Sequence, residues 1–283
     1  MKNHTSQNSQ SLQLSVIGSP INHSKSPLIQ QAAINKCQIN ASYSKTEIFD
    51  LSHLDEFLNQ LKQPNWRGVN ITIPYKEVVI PFLDIKDDAV AIIGACNTIV
   101  NKNGRLHGYN TDAEGFYVPL KNKSIHSALI LGNGGAAKAV LYQCAKEGMA
   151  SLTLVARNHE KSDALVNSLK SKFGIQIKKV AFNSLSPDCI KSHQLIVNTT
   201  SIGMNHDDDP FDAINSIGQN QLFYDLIYNP WETKMMRIAK AKGAETLNGA
   251  WMLAGQGALA FEHFFNKKTS VENMYNLLKE ASE

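Results

Sequence analysis

A lysine and an aspartate in two separate polar segments are the first candidates for chemistry in this sequence. Lys76 closes the segment Asn70-Ile71-Thr72-Ile73-Pro74-Tyr75-Lys76, and Asp112 closes Asn110-Thr111-Asp112. A lysine ammonium can protonate an oxygen that gains negative charge, and a carboxylate beside it can orient the ammonium or share the proton transfer. An ordinary salt bridge between domains is the other interpretation, and spacing alone does not separate the two.

A glycine-rich turn is the second candidate. Gly132-Asn133-Gly134-Gly135-Ala136-Ala137 fits the pattern G-x-G-x-x-G/A and stands directly between a predicted strand and a predicted helix. Gly132 can make the tight turn, Gly134 lets the backbone approach a pyrophosphate, and Ala137 lets helix and strand pack closely. The helix N-terminus supplies free N–H groups for an anion. We therefore predict a dinucleotide site. A glycine-rich turn that only connects a strand to a helix, without binding a ligand, is the other interpretation of this pattern.

The next predicted strand ends in Ala156-Arg157-Asn158, with Lys161 one turn later. An NAD site would place an acidic residue here to bind the ribose 2′-hydroxyl. The guanidinium of Arg157 can instead bind a 2′-phosphate, and Lys161 adds a second cation. These residues favour NADP over NAD, and they count against a methyltransferase that binds adenosylmethionine. A solvated surface cation is the remaining interpretation of Arg157.

Polar clusters that adjoin predicted strands suggest where a substrate binds. We expect each of them at the end of a strand, where open α/β sheets bind their ligands. Hydroxyl and amide side chains offer the neutral donors and acceptors that a polyhydroxylated small molecule requires. The clusters are Ser24-Lys25-Ser26-Pro27, Asn70 to Lys76, Asn97-Thr98 and Asn110 to Asp112.

Strand-like and helix-like segments alternate along the chain, which predicts βαβ units with largely parallel sheets. Asn103-Gly104 between two such strands predicts a hairpin, and therefore an antiparallel edge. The predicted strands are 14–18, 41–48, 68–73, 96–101, 105–109, 128–131, 152–156, 177–181, 195–198 and 222–226. The predicted helices are 27–36, 51–61, the segment from the glycine-rich turn to 147, 250–266 and 271–279.

These elements predict two α/β domains in a chain of 283 residues. Residues 14–112 form an N-terminal, mostly parallel open-sheet domain that binds substrate, and residues 113–248 form a Rossmann-type NADP-binding domain. We expect the C-terminal helices, in residues 249–283, to return to the first domain and complete it. Residues 1–13 are polar and are predicted to be a flexible leader.

Composition excludes several classes of protein. The net charge is only +3 with no block of like charges, so we expect no nucleic-acid partner. No stretch approaches the roughly 20 apolar residues that a bilayer requires, so we expect a cytoplasmic protein with no membrane partner. The four cysteines form no C-x-x-C pair, so we predict reduced thiols and no metal. A small-molecule substrate is the expected partner, with a monomer and a homodimer both open.

In order and spacing, the polar clusters and the glycine-rich turn resemble the shikimate dehydrogenase family. The matching segments are Gly18 to Pro27, Asn70 to Lys76, Gly94 to Thr98, Gly108 to Gly115 and Gly132 to Ala136, within a resemblance that spans roughly residues 14 to 280. The resemblance implies reversible, NADP-dependent reduction of 3-dehydroshikimate to shikimate, on the route to chorismate and aromatic amino acids.

The resemblance also implies individual roles. Lys76 and Asp112 would be catalytic. Asp225 to Pro230 is similar to a D-x-x-Y-x-P segment, and Gly249 to Gln256 is similar to the family's final motif. The implied substrate ligands are Ser24 and Ser26 on a carboxylate, Thr72, Asn97 and Asp112 on hydroxyls, and Lys76, Tyr228 and Gln256. The implied cofactor ligands are Gly132, Asn133, Gly134, Gly135, Ala136, Arg157, Asn158, Lys161, Thr200, Gly249 and Met252.

Two alternatives stay open. A quinate/shikimate dehydrogenase that uses NAD would share the fold, but Arg157 and the Ser24-Lys25-Ser26 sequence favour the shikimate enzyme. A non-catalytic NADP-binding protein would be expected to lose Lys76 and Asp112, and both are present. The chain departs from the family where Ala156-Arg157-Asn158 replaces the frequent Asn-Arg-Thr, and where Asn133 replaces the usual alanine.

Overall fold

The computed structural model describes residues 11–205, 207–208 and 210–282, and it contains two six-stranded sheets. Residues 1–10 of the predicted leader lie outside the described residues, and the first strand begins two residues before its predicted start. The elements of the first sheet and its helices are β1 (Leu12–Gly18), α1 (Ser26–Lys36), β2 (Ala41–Glu47), α2 (Leu51–Leu61), β3 (Trp66–Ile71), β4 (Ile85–Lys86), α3 (Asp88–Ile93), β5 (Thr98–Lys102) and β6 (Arg105–Tyr109).

The first sheet has the order β2-β1-β3-β5-β6-β4. β1 is parallel to both β2 and β3, whereas β5 is antiparallel to β3 and β6. Asn103 and Gly104 form the predicted hairpin turn, with φ of 55° and 83°. The prediction that this hairpin forms an edge of the sheet was wrong, because the two-residue strand β4 pairs with β6 outside it.

Strand register places all four polar clusters at one edge of this sheet. Ile17 pairs with Ile71 at the ends of parallel β1 and β3, and Thr98 pairs with both Asn70 and Tyr109. The prediction that each cluster follows a strand was wrong in one case. Asn97 precedes β5, but antiparallel pairing brings that start to the same edge.

The second sheet has the order β12-β11-β10-β7-β8-β9, and all of its strands are parallel. This order confirms the predicted Rossmann-type architecture, whose ligand crevice lies where the strand order reverses, between β7 and β10. Its elements are α4 (Thr111–Tyr117), β7 (Ser127–Leu131), α5 (Gly135–Lys146), β8 (Ser151–Ala156), α6 (Glu160–Phe173), β9 (Ile177–Ala181), α7 (Pro187–Lys191), β10 (Leu195–Asn198), β11 (Leu222–Asp225), α8 (Lys234–Ala241) and β12 (Glu245–Leu247).

The last two helices, α9 (Ala250–Phe265) and α10 (Val271–Glu280), return to the first sheet as predicted. Ala254 and Phe261 of α9 share a buried apolar cluster with Leu14 of β1. α9 also crosses α4 at close range, because a side chain on Gly255 would lie 2.5 Å from a backbone oxygen of α4. α9 therefore joins the first sheet to α4, the first helix that follows that sheet.

The cysteines fit the prediction of packed, reduced thiols. All four are free, and Cys96 and Cys144 are buried. Burial raises the pKa of Cys96 to about 12. Among the described residues, no group of three histidine, cysteine or acidic side chains could hold a metal ion, and no helix is long and apolar enough to cross a membrane.

Candidate functional site

The structure brings Lys76 and Asp112 into direct contact. The Lys76 ammonium lies 2.7 Å from Asp112 Oδ2, and the two side chains are 24% and 11% exposed. The Lys76 carbonyl accepts a hydrogen bond from the backbone N–H of Cys96, 2.7 Å away, which ties the segment after β3 to the start of β5. The ammonium is thus oriented but still accessible to a small molecule.

Asp112 lies in the first turn of α4, a helix that the sequence interpretation missed. The side chain of Asn110 caps this helix by accepting a hydrogen bond from the N–H of Ala113. Asp112 is consequently fixed by a helix as well as by its ionic partner. An Asn at the N-cap position followed by an acidic first turn is a helix-start signal that could have revealed α4.

Asn97, which precedes β5, is joined by hydrogen bonds to the start of α4. Its side-chain N–H₂ donates to Asp112 Oδ1 at 2.8 Å and to Thr111 Oγ1 at 3.0 Å. Its Oδ1 accepts from the backbone N–H of Thr111 at 2.7 Å. Both carboxylate oxygens of Asp112 therefore have donors, one from Lys76 and one from Asn97.

Gln256 enters the same cluster from α9. Its Oε1 lies 3.5 Å from the Asn97 amide nitrogen, and its own amide donates to the Leu253 carbonyl at 2.9 Å. The close crossing of α4 and α9 makes this possible, since a side chain on Gly115 would lie 2.4 Å from the backbone nitrogen of Gln256. Four of the predicted site residues thus share one buried polar cluster.

A chain of hydrogen bonds between further polar side chains ends at this cluster. The Tyr43 hydroxyl donates to Asn70 Oδ1 at 2.7 Å, and the Asn70 amide donates to Thr98 Oγ1 at 2.9 Å. Thr98 in turn lies 3.2 Å from Thr111, oxygen to oxygen. Tyr43 and Thr111 were not predicted as site residues, and a lone tyrosine in β2 gives no sequence signal for such a role.

Ser24 and Thr72 lie on two adjoining loops at the same sheet edge, and Ser26 is the first residue of α1. Ser24 Oγ accepts from the backbone N–H of Ser26 at 3.3 Å, and Thr72 donates its N–H to the Ile17 carbonyl at 2.9 Å. A side chain on Gly18 would lie 2.4 Å from the Thr72 methyl group, so these loops pack tightly. Among the described contacts, none links the two serines directly to Lys76 or Asp112.

Tyr228 follows β11 of the second sheet but packs against the first. It is half-buried against an apolar cluster that contains Ile21 and Ala250, and burial raises the pKa of its hydroxyl. Ile21 belongs to the loop that carries Ser24. Tyr228 therefore packs on the same apolar cluster as the loop of Ser24, and its role at the substrate stays a prediction.

The glycine-rich turn has the geometry of an anion cradle. Gly132 has a φ of 109°, and a side chain there would lie 2.6 Å from Thr199 Oγ1. α5 begins at Gly135, with Gly134 as its N-cap residue, and a Cβ on either would meet open space. Ala136 follows in the first turn, and Ala137 is buried. Backbone N–H groups at a helix start with free space before them fit a pyrophosphate.

The end of β8 adjoins this turn. The side-chain amide of Asn133 donates to the Asn158 carbonyl, which joins the glycine-rich turn to the loop after β8. Arg157 is exposed at that strand end, and no described residue pairs with its guanidinium. Asn158 accepts from the N–H of Glu160 at 2.8 Å. The predicted role of Lys161 concerns a side chain that lies outside the described residues.

Of the other predicted cofactor ligands, Thr200 follows β10, whereas Gly249 and Met252 stand at the start of α9. Thr200 donates its hydroxyl to Asn198 Oδ1 at 2.7 Å, and the methyl group of Thr200 approaches Gly132. Gly249 packs directly on the loop after β11, because a Cβ there would lie 2.0 Å from the Leu226 carbonyl oxygen. Met252 is buried one turn later in α9.

Asp225 organises these strand ends, a role that the sequence did not reveal. It is fully buried and accepts hydrogen bonds from the Asn198 amide at 2.9 Å, the Thr233 hydroxyl at 2.7 Å and the N–H of Ile227 at 3.2 Å. Burial raises its pKa to about 6, against the lowering effect of those donors. It therefore connects the loop of Thr200 to the loop of Tyr228.

One ion pair crosses between the two sheets next to the site. Lys138 of α5 lies 2.8 Å from Glu77, the residue after Lys76, with the lysine side chain 16% exposed. The helix that begins at the glycine-rich turn thus contacts the segment that ends in the candidate catalytic lysine. The region between the glycine-rich turn and the Lys76 edge of the first sheet is the cleft of this protein, and the Lys138–Glu77 pair borders it.

Family models match two segments of the chain. Residues 16–99 match the shikimate dehydrogenase substrate binding domain, and residues 249–279 match the shikimate 5'-dehydrogenase C-terminal domain. The first segment covers β1 to the start of β5, and the second covers most of α9 and α10. These are the parts that pack together on the first sheet.

Relatives of known function match almost the whole chain. A shikimate dehydrogenase (NADP(+)) from Carboxydothermus hydrogenoformans is 39% identical over 273 residues, 94% of each chain. A Thermus thermophilus shikimate 5-dehydrogenase, solved with NADP(H) and shikimate, is 31% identical with a TM-score of 0.82, covering 95% of this chain and 99% of that one. A quinate dehydrogenase from Corynebacterium glutamicum, solved with NAD, is 26% identical with a TM-score of 0.85, covering 95% and 99%.

Proposed function

This chain belongs to the shikimate dehydrogenase family, and from that premise we infer its reaction: the reversible, NADP-dependent reduction of 3-dehydroshikimate to shikimate. The enzyme is an oxidoreductase of the route to chorismate and the aromatic amino acids. The observation that supports this function is the Lys76–Asp112 pair at one edge of the first sheet, where Asn97 donates to the Asp112 carboxylate and Gln256 lies next to Asn97.

We propose that Lys76 moves the proton. Bound NADPH supplies a hydride to the keto carbon of the substrate, and the keto oxygen gains negative charge as the C–O double bond opens. The Lys76 ammonium then donates its proton to that oxygen, and the same group accepts it back in the oxidative direction. Asp112 keeps the ammonium at 2.7 Å and balances its charge, and a substrate hydroxyl can share the carboxylate.

The substrate's other groups would be bound by hydroxyl and amide side chains. We propose Ser24 and Ser26 for the carboxylate, with Tyr228 beside them. Thr72, Asn97 and Gln256 would bind ring hydroxyls, since a site built for hydrogen bonding discriminates against molecules that lack the partner. In support, Ser24 and Thr72 are half-buried, so each is partly shielded from solvent and still accessible to a small molecule.

For the cofactor, we propose that the turn Gly132 to Ala136 binds the pyrophosphate, with Asn133 fixing the neighbouring loop. Arg157 would bind the 2′-phosphate, helped by Lys161, and Asn158 would lie on the adenosine side. Thr200, Gly249 and Met252 would face the nicotinamide. The supporting observations are the open space before the turn and the unpaired, exposed guanidinium of Arg157.

We further propose that residues 14–112 together with 249–283 form the substrate domain, and that residues 113–248 form the NADP domain. The division into two separate sheets supports this assignment. We expect the protein in the cytoplasm, as a monomer or a homodimer. We expect no nucleic-acid partner, because the net charge is only +3.

Reduced-nicotinamide absorbance tests the proposal. Purified protein is mixed with shikimate and either NADP or NAD, and with quinate in place of shikimate as the control. We expect reduction of NADP with shikimate, much slower reduction of NAD, and little activity on quinate. Preference for quinate with NAD would instead identify the quinate enzyme, and binding of NADP without turnover would identify a non-catalytic protein.

A further inference from the structure

A cavity is lined by the segment before α8, by α8 itself, by β12, by the start of α9 and by the middle of α10. Its volume is about 370 Å³, within the usual range for small-molecule sites. None of its lining residues belongs to the substrate or cofactor sets assigned above. The lining residues are Trp231, Glu232, Met236, Lys240, Thr246, Leu247, Asn248, Trp251 and Tyr275.

Three aromatic rings form one wall of this cavity. Trp251 and Tyr275 stack with their ring centroids 4.0 Å apart and an angle of 18° between their planes. Trp231 meets Tyr275 at 5.5 Å and 49°. All three side chains are only partly buried, so part of each ring surface remains available to a ligand. Partly desolvated aromatic faces attract cations as well as flat apolar groups.

Asn248 supplies an unused hydrogen-bond acceptor. The residue is only 4% exposed, and its amide N–H₂ donates to the Trp231 carbonyl at 3.1 Å. Its Oδ1 has no donor among the described residues. A buried acceptor without a donor is costly, and because this oxygen has almost no accessible surface, a ligand N–H that pairs with it must shift the cavity wall and would then recover free energy. A water molecule could also serve Oδ1, but it would leave the aromatic faces without a partner.

A carboxylate adds negative charge to the cavity. Glu232 lies 3.3 Å from Lys240, and the two side chains are 38% and 69% exposed. Such an exposed pair is weak, so the carboxylate can exchange its lysine partner for a ligand cation. Aromatic faces, a free amide oxygen and a replaceable carboxylate are all groups that recognise an ammonium ion.

We propose that this cavity binds a small organic ammonium ion that carries a flat apolar body. The ammonium donates to Asn248 Oδ1 and faces Glu232, and the apolar body covers the open surface of Trp231 and Tyr275. The proposal does not depend on the reaction at the cleft. It requires only that binding here be independent of shikimate and NADP.

Tryptophan fluorescence of the whole protein tests the site, because two of the three tryptophans line the cavity. The probe is 2-phenylethylamine, a cation at neutral pH. The controls are 2-phenylethanol, which keeps the body without the charge, and 3-phenylpropanoate, which reverses the charge. We expect a saturable change with the amine and about tenfold weaker binding of each control, a factor that corresponds to roughly 1.4 kcal/mol.

Variants locate the binding. The Trp66→Phe protein, which keeps both cavity tryptophans, should show the same titration. Asn248→Leu and Glu232→Gln should each weaken amine binding several-fold, whereas Glu56→Gln, an exposed glutamate on α2, should not. If Asn248→Leu fails to fold by circular dichroism, Trp231→Leu takes its place with the same expectation.

Three results would overturn the proposal. The first is no saturable change with the amine in folded protein. The second is equal or tighter binding of the alcohol or the carboxylate, which would leave an unselective apolar surface. The third is loss of the amine signal in the presence of saturating shikimate alone, which would place the amine in the cleft.

Discussion

Replacing Asp225 by asparagine should change how the free energy of unfolding depends on pH. Burial raises the pKa of Asp225 from 3.8 to about 6, so the folded protein holds this proton more tightly than the unfolded chain does. The stability that the protonated group contributes is fully present below pH 3.8 and is lost as the pH rises through about 6. The shift of about two units corresponds to roughly 3 kcal/mol.

Asp225→Asn removes this titration. The amide oxygen can still accept from Asn198 and Ile227, and the N–H₂ group can donate to the Thr233 hydroxyl, which must turn from donor to acceptor. Any cost of this exchange is the same at every pH, because the asparagine does not ionise. The informative quantity is therefore the difference between wild type and variant as a function of pH, not its value at one pH.

Urea unfolding at several pH values between about 4 and 8 measures this difference. The wild type should lose roughly 3 kcal/mol relative to the variant across that interval, with most of the change complete by about pH 7. Asp212→Asn, which removes an exposed aspartate of the same domain, controls for the loss of one charge. Parallel curves for wild type and Asp225→Asn would refute the reasoning.

Three further predictions concern the cleft. Arg157→Ala should weaken NADP binding by about 1.5–3 kcal/mol and leave NAD binding nearly unchanged in calorimetric titrations, since it removes a charge-assisted contact to the 2′-phosphate; equal losses would contradict that role. Ser24→Ala should raise KM for shikimate more than it lowers kcat in steady-state assays, and a pure kcat defect would place Ser24 in the chemistry instead. Gly132→Ala should lower the free energy of unfolding by about 1–3 kcal/mol, because φ there is positive. Gly134→Ala, its matched partner with open space around it, should keep that free energy within about 1 kcal/mol yet weaken NADP binding; normal binding would show that the pyrophosphate lies elsewhere.

The sequence predicted the architecture well where the pattern was local. Ten strands, the glycine-rich turn with its helix, and the position of Arg157 all follow from alternation, β-branched runs and glycine placement. The fold comparison confirms the two α/β units. Strand ends were less accurate, as for β3, which ends at Ile71 and not at residue 73. Beyond Ile71 the chain forms the loop that carries Thr72 and no longer belongs to the strand.

Tertiary pairing explains most of what the sequence did not predict. The two residues of β4 are exposed and have no periodicity, and they form a strand only because β6 lies beside them. The role of Asp225 arises from three donors on different segments: the end of β10, the loop after β11 and the residue before α8. The hydrogen bonds of Tyr43 and Thr111 likewise depend on strand register. The contacts of Lys76 and Asp112 confirm their proximity, while their catalytic role stays a prediction.

The central claim is that Lys76 transfers the proton, and steady-state turnover of Lys76→Met with shikimate and NADP tests it most directly. The variant keeps most of the apolar stem but has no ammonium, and Lys121→Met, on an exposed lysine beyond α4, is the matched control. The account predicts that kcat falls by a factor of about 10²–10⁴ while shikimate and NADP bind almost normally, and that the control stays active. Near-normal turnover of Lys76→Met, or a loss of shikimate binding in place of turnover, would contradict it.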